Sequence, residues 1–123
     1  MTTNDKKPKP LVVASNRLPV GLRFTDGVLS LERSSGGLVA AVDGVARDIG
    51  CAWVGWPGSP VDPATQQEVV AALAAQRLHP VFLGAEEEAQ YYRRLANETI
   101  WPLFHYFADK SSFDEQAWRS YVA

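Results

Sequence analysis

A chain of 123 residues, 46% hydrophobic and 21% charged, with a formal charge of −2, has the size and balance of one globular domain. That charge lacks the basic footprint of a nucleic-acid or anionic-membrane partner, and no apolar run approaches the roughly 20 residues of a membrane-spanning helix. Cys51 is the single cysteine, which excludes an internal disulfide; beside Ala52, Trp53 and Val54 it reads as a reduced, buried thiol.

Residues 1–10 carry Lys6, Lys7, Lys9, Pro8 and Pro10 with no apolar segment behind Met1. They read as a solvated tail, not a signal peptide, and the chain as cytoplasmic. Leu11–Ser15 is a first buried strand that ends in Ser15-Asn16-Arg17 and meets Pro19. In open α/β sheets ligands bind beyond the carboxyl ends of strands. Arg17 there, with its planar fork of donors, is placed to grip a phosphate or carboxylate. It could equally pair with a local carboxylate, Glu32 or Asp26.

A hairpin follows, Leu22–Phe24 with Val28–Leu31, turning at Asp26-Gly27. Ser34-Ser35-Gly36-Gly37 opens a helix that runs to about Asp48, with Ser34 or Ser35 as N-cap. Leu38, Val39, Val42, Val45, Ala46 and Ile49 recur at helical spacing along it. Glycines at a helix start let a backbone approach a ligand, and the free N–H groups favour an anion. A plain flexible loop end gives the same sequence. The pair is neither a G-x-G-x-x-G fingerprint nor a P-loop, which disfavours nicotinamide dinucleotides and direct ATP hydrolysis.

Gly50 ends that helix, and Cys51–Trp56 is the second strand, closed by Gly55, Pro57 and Gly58. Pro63 starts a helix to about Gln76. His79–Leu83 is a third strand, Glu86–Ala96 a helix, Ile100–Phe107 a short aromatic element interrupted by Pro102, and Phe113–Val122 the last helix. Such alternation predicts an α/β fold, a partial Rossmann-like parallel sheet with flanking helices. Three core strands are few for it, so residues 11–123 read as an incomplete domain with uncovered apolar faces, prone to self-association.

Aromatic residues are dense. Trp53, Tyr91, Phe104 and Phe107 are assigned to the core, and His105 to a structural hydrogen bond. Trp56, Tyr92, Trp101 and Tyr106 complete the cluster; aromatic faces suit the C–H faces of sugars and tyrosine hydroxyls their polar edges, with core packing the alternative. Glu86, Glu87 and Glu88 form a solvated helix start. No cluster has metal-ligand spacing.

Ser15-Asn16-Arg17-Leu18-Pro19, Ser35-Gly36-Gly37-Leu38, Trp53-x-Gly55-Trp56-x-Gly58, Tyr91-Tyr92, Asn97-x-x-Ile100-Trp101-Pro102-Leu103-Phe104-His105-Tyr106 and Trp118-x-x-Tyr121-Val122 follow in order. From about Leu11 to the last residue the chain closely resembles the amino-terminal region of the trehalose-6-phosphate synthases, retaining glycosyltransferases of the two-Rossmann-domain GT-B type. The resemblance implies transfer of glucose from UDP-glucose to glucose 6-phosphate, with no metal and no cofactor. It implies that Arg17 and Tyr92 hold the acceptor phosphate and that Trp101 packs on the acceptor sugar. Trp56 would line the acceptor side, and Gly36 and Gly37 would approach the donor.

The family's second Rossmann domain, and its later histidine and aspartate, have no counterpart in these residues. The chain is therefore expected to hold substrate-binding but no catalytic residues, and to lack activity unless a carboxyl-terminal domain or complementing chain supplies the rest. Other phosphorylated acceptors, a sugar-phosphate-binding or regulatory role, a truncated gene product and a homo-oligomer stay open.

Overall fold

The computed structural model describes residues 10–123, apart from the Arg47 side chain. The tail expected over residues 1–10 thus lies outside the described residues except for Pro10. Two compact units divide the chain, one running to Phe82 and the other spanning Leu83–Ala123.

The first unit holds a three-stranded parallel sheet and a hairpin. β1 is Val12–Arg17, β4 is Ala52–Trp56 and β5 is Leu78–Pro80, in the order β1-β4-β5. β2 (Val20–Thr25) and β3 (Val28–Arg33) pair antiparallel. Their turn has φ 51° at Asp26 and 77° at Gly27. Positive φ at both central residues marks the primed turn whose twist suits a hairpin.

α1 spans Gly37–Ile49. The expected serine cap is replaced by Gly36, with no side-chain cap. The cause lies upstream: the Ser34 N–H donates to the Pro19 carbonyl at 2.8 Å, which keeps Ser34 tied to the hairpin. Gly50 ends α1 in the left-handed region, φ 64°, as expected. The Arg77 guanidinium donates to its carbonyl.

α2 is Gln66–Ala74 and begins later than Pro63. An Asx turn occupies the preceding residues: Asp62 Oδ1 accepts from Ala64 N–H at 3.0 Å and its carbonyl from Thr65 N–H at 2.8 Å. Around Trp53 the core gathers Leu18, Val20, Val61, Val69, Leu73 and Leu78. Val42 and Ala46 of α1 pack on it, whereas Leu38, Val45 and Ile49 stay about half exposed. Cys51 is buried and free at the start of β4.

In the second unit the helix expected over Glu86–Ala96 is a wider object. A single turn, α3 (Ala85–Glu87), passes into a π-helix over Glu88–Ile100, then into α4 (Trp101–Phe104). A 3-10 turn, Ala108–Lys110, precedes α5 (Glu115–Val122), capped by Asp114, whose side chain accepts from Ala117 N–H at 3.1 Å. Leu95 and Ala117 are buried. Phe104 is 75% and Phe107 46% exposed, which corrects their assignment to the core. α4 ends after four residues and Tyr106 turns the chain at φ 64°, which ends the helical face that would have buried these rings. Tyr91, also expected in the core, is half-buried and stacks on Tyr121 at 5.7 Å. No helix among the described residues is long and apolar enough to cross a membrane.

Candidate functional site

Arg17 ends β1, two residues further than the strand was expected to reach. Ala14 lies opposite Val54 and Arg17 opposite Trp56, so Ser15 and Asn16 together face the single Gly55. That is a bulge, which re-aims a strand end. Gly55 permits it. A Cβ on Gly55 would stand 2.7 Å from the Ser15 carbonyl oxygen and 3.1 Å from the Leu18 nitrogen. Leu18 N–H then donates to the Trp56 carbonyl at 2.8 Å, closing the joint.

Ser15 is a positioning residue that the sequence reading passes over. Its hydroxyl accepts from the buried Trp53 indole N–H at 2.7 Å and donates to the Arg17 carbonyl at 2.6 Å. The core tryptophan is thereby tied to the strand end that presents the arginine. A serine facing a tryptophan across neighbouring strands is the signal, but it needs the parallel register to be visible.

The guanidinium of Arg17 lies over the Trp56 ring, 6.0 Å from its centroid, within cation–π range. It also covers Gly58, where φ is 90° and a Cβ would meet Nη2 at 2.5 Å. Glu32, one of the local carboxylates considered for Arg17, pairs instead with Arg23 at 2.9 Å. Among the described residues no carboxylate forms an ion pair with Arg17, and its side chain is exposed. Trp56 is buried beneath it. The structure thus brings Arg17 and Trp56 together at the carboxyl end of the sheet.

Gly36 and Gly37 sit at the amino end of α1, uncapped by any side chain. A Cβ on Gly37 would meet nothing within 4 Å. With no side-chain cap, this end of α1 carries the positive end of the helix dipole, an arrangement that favours an anion.

Tyr92 and Trp101 belong to the second unit. Tyr92 is half-buried on the π-helix. Trp101 opens α4, is 53% exposed, and stacks on His105 with centroids 4.0 Å apart. His105 Nδ1 lies 2.7 Å from the Trp101 carbonyl, the structural bond expected of it. It carries the indole from one face.

Two cavities lie elsewhere. One of about 510 Å³ is lined by Pro19, Arg33, Asp43, Cys51 and Arg77, among others. It lies by the starts of β4 and β5. Its cations are engaged, Arg33 with Asp43 and Arg77 with the Gly50 carbonyl. A smaller one of about 230 Å³ lies between Tyr91 and Tyr121. Burial, then the neighbouring Tyr121 phenol, pushes the Tyr91 phenol above its ordinary range. Neither cavity contains any of the expected site residues. The Arg17–Trp56 pair instead lies at the carboxyl end of β1, where open α/β sheets bind ligands.

Known proteins resemble this chain in sequence and in fold. The model of glycosyltransferase family 20 matches residues 9–123. The chain is 38% identical over 118 residues to alpha,alpha-trehalose-phosphate synthase (UDP-forming) of Botryotinia fuckeliana, covering 94% of this chain and 23% of that protein. It is 43% identical over 116 residues to trehalose-6-phosphate synthase of Mycobacterium tuberculosis (strain ATCC 25618 / H37Rv), covering 90% and 23%. The crystal structure of the alpha,alpha-trehalose 6-phosphate synthase of Burkholderia multivorans superposes with a TM-score of 0.56 at 28% identity, covering 92% of this chain and 22% of that one. The chain spans a little under a quarter of the length of the curated relatives just described.

Proposed function

The chain belongs to glycosyltransferase family 20, and from that membership we propose that it forms the acceptor-binding part of a UDP-forming alpha,alpha-trehalose-phosphate synthase. The reaction is transfer of glucose from UDP-glucose to glucose 6-phosphate, giving trehalose 6-phosphate and UDP in the cytoplasm. The observation that carries the reading is Arg17: an exposed guanidinium, engaged by no carboxylate among the described residues, seated on Trp56 at the carboxyl end of a parallel strand.

Each residue has a physical part. Arg17 supplies a permanent cation and a fork of donors to the acceptor phosphate. The Tyr92 hydroxyl adds a neutral donor. Trp101, backed by His105, offers an aromatic face to the C–H face of the glucose ring. Trp56 seats the Arg17 guanidinium. Gly36 and Gly37 leave room for the donor diphosphate at the α1 amino end. Charge that develops on UDP as the glycosidic bond breaks needs preorganised cations. We assign those to parts of a synthase beyond these 123 residues, either a second Rossmann domain or a complementing chain.

The test is calorimetric titration of the purified chain with glucose 6-phosphate, alongside Arg17→Ala. Saturable binding that falls at least about tenfold in the variant supports the reading, since a charged hydrogen bond is worth about 1.5–3 kcal/mol. Equal affinity in both proteins would remove Arg17 from the site. No binding by either would end the proposal that this chain carries the acceptor half. Trehalose 6-phosphate formed by the chain alone from both substrates would refute the assignment of the donor-side groups to other parts.

A further inference from the structure

Tyr92 and Trp101 lie nine positions apart. At 3.6 residues per turn that separation is about two and a half turns, which puts the two side chains on opposite faces of an α-helix. A π-helix, with i to i+5 bonds and about 4.4 residues per turn, covers it in about two turns and puts them on one face. The chain takes the second course. Glu88–Ile100 is π-helical, and the Trp101 N–H donates to the Ala96 carbonyl, five residues back.

We propose that this π winding is the device that aligns Tyr92 with Trp101, and that Thr99 and Ser111 are the positioning residues that hold it. The inference rests on the acceptor-site reading given above for those two aromatic residues.

The cause begins at Pro102. In a straight α-helix its ring would clash with the Glu98 carbonyl, and it has no N–H to offer that oxygen. The wider turn relieves the clash, and the Glu98 carbonyl accepts from Ser112 N–H at 2.9 Å. The next carbonyl, Thr99, accepts from the Ser111 hydroxyl at 2.7 Å. The Thr99 hydroxyl lies 3.1 Å from the Arg94 carbonyl, five residues back, and also against the Ser112 carbonyl; its one proton goes to one of them. The 3-10 turn at Ala108–Lys110 leads straight into these serines. A strap of polar groups therefore takes up the carbonyls that the π register and the proline leave over. π-Helical turns are rare and frequently lie at functional sites, and this run is secured by side-chain and backbone donors from Ser111 and Ser112.

The experiment reads the winding and the binding separately. Nitroxide labels go onto Tyr92→Cys and Trp101→Cys in a Cys51→Ala background of the full chain. A second pair goes onto Tyr91→Cys and Glu98→Cys, seven positions apart, which an α-helix aligns and a π-helix separates. Dipolar broadening of the first pair and its absence in the second is the expected result. The reverse pattern overturns the inference, whatever the chain binds.

Thr99→Val and Ser111→Ala are then added to the labelled chain and, separately, to the unlabelled one. Broadening of the first pair should fall, affinity for glucose 6-phosphate should weaken about tenfold, and Ser111→Thr should restore both. Unchanged broadening and affinity in these variants overturns the part given to Thr99 and Ser111. The expected broadening with no glucose 6-phosphate affinity in the wild-type chain leaves the winding standing and removes the acceptor-site reading instead.

Discussion

Gly55→Ala tests the joint that presents Arg17. The added Cβ would lie 2.7 Å from the Ser15 carbonyl oxygen, 3.1 Å from the Leu18 nitrogen and 3.2 Å from the Arg17 carbonyl carbon. All three are backbone atoms of the bulged end of β1 and its exit, so no rotamer change relieves the contact. Overpacking of this kind costs about 1–3 kcal/mol. Alanine recovers about 0.5–1 kcal/mol over glycine within a strand. The net expectation is a loss of about 1–2 kcal/mol.

Urea unfolding followed by tryptophan fluorescence measures it: the midpoint should fall at an unchanged slope. Because β1 must retreat to admit the methyl, Arg17 moves with it, and glucose 6-phosphate affinity should fall in the same protein. A variant within about 0.3 kcal/mol of wild type and with full affinity would show that β1 and β4 do not meet as closely as Gly55 requires.

Further outcomes follow from the same geometry. Ser15→Ala leaves the buried Trp53 indole N–H without its acceptor and should cost about 1–3 kcal/mol by urea unfolding; a loss below about 0.5 kcal/mol would mean that the hydroxyl bridge is idle. Gly37→Ala meets no neighbour within 4 Å, so its unfolding free energy should hold or rise by up to about 1 kcal/mol, and a clear destabilisation would contradict the open space at Gly37. Asp114 is held below the ordinary carboxylate range, first by the Ala117 N–H; desolvation, next in size, opposes this, and the Gln116 N–H and Arg94 lower it further. A lowered folded-state pKa gives stability that is present above the unfolded value of about 3.9 and is lost as pH falls through the folded one. The protection of the Ala117 amide, its intrinsic exchange rate divided by the observed rate at each pH, should therefore fall on acidification below about pH 4 in wild type and show no such step in Asp114→Asn; wild-type protection that stays constant from pH 5 to 2 would refute the cap.

Much of the first unit was legible because its signals are local. Asp26-Gly27 can adopt positive φ cheaply, so the hairpin turn follows from two residues. Gly50 marks the end of α1 for the same reason, and the alternation of strand and helix predicts the parallel sheet. Arg17 was visible as a cation after an apolar run. The second unit was less legible. Phe104 and Phe107 look like core residues by composition, yet both are exposed beside a four-residue helix and a left-handed Tyr106. The helix over Glu86–Ala96 was readable as helical, but its winding was not, since Pro102 acts through the Glu98 carbonyl and Ser112, fourteen residues beyond it in sequence.

The sequence by itself determined which residues could serve: a guanidinium and a phenol for phosphate, an indole for a sugar face, and glycines where backbone must come close. These are properties of side-chain chemistry and local backbone freedom, and they need no neighbours. Only the tertiary structure decided how Arg17 is presented, because the bulge, the Trp56 seat and the Ser15–Trp53 bridge all depend on β1 lying parallel to β4. Only it decided the π winding over Glu88–Ile100, because helix winding is set by where displaced carbonyls find donors. Pairings distant in sequence settle both, and a single chain read in order does not contain them.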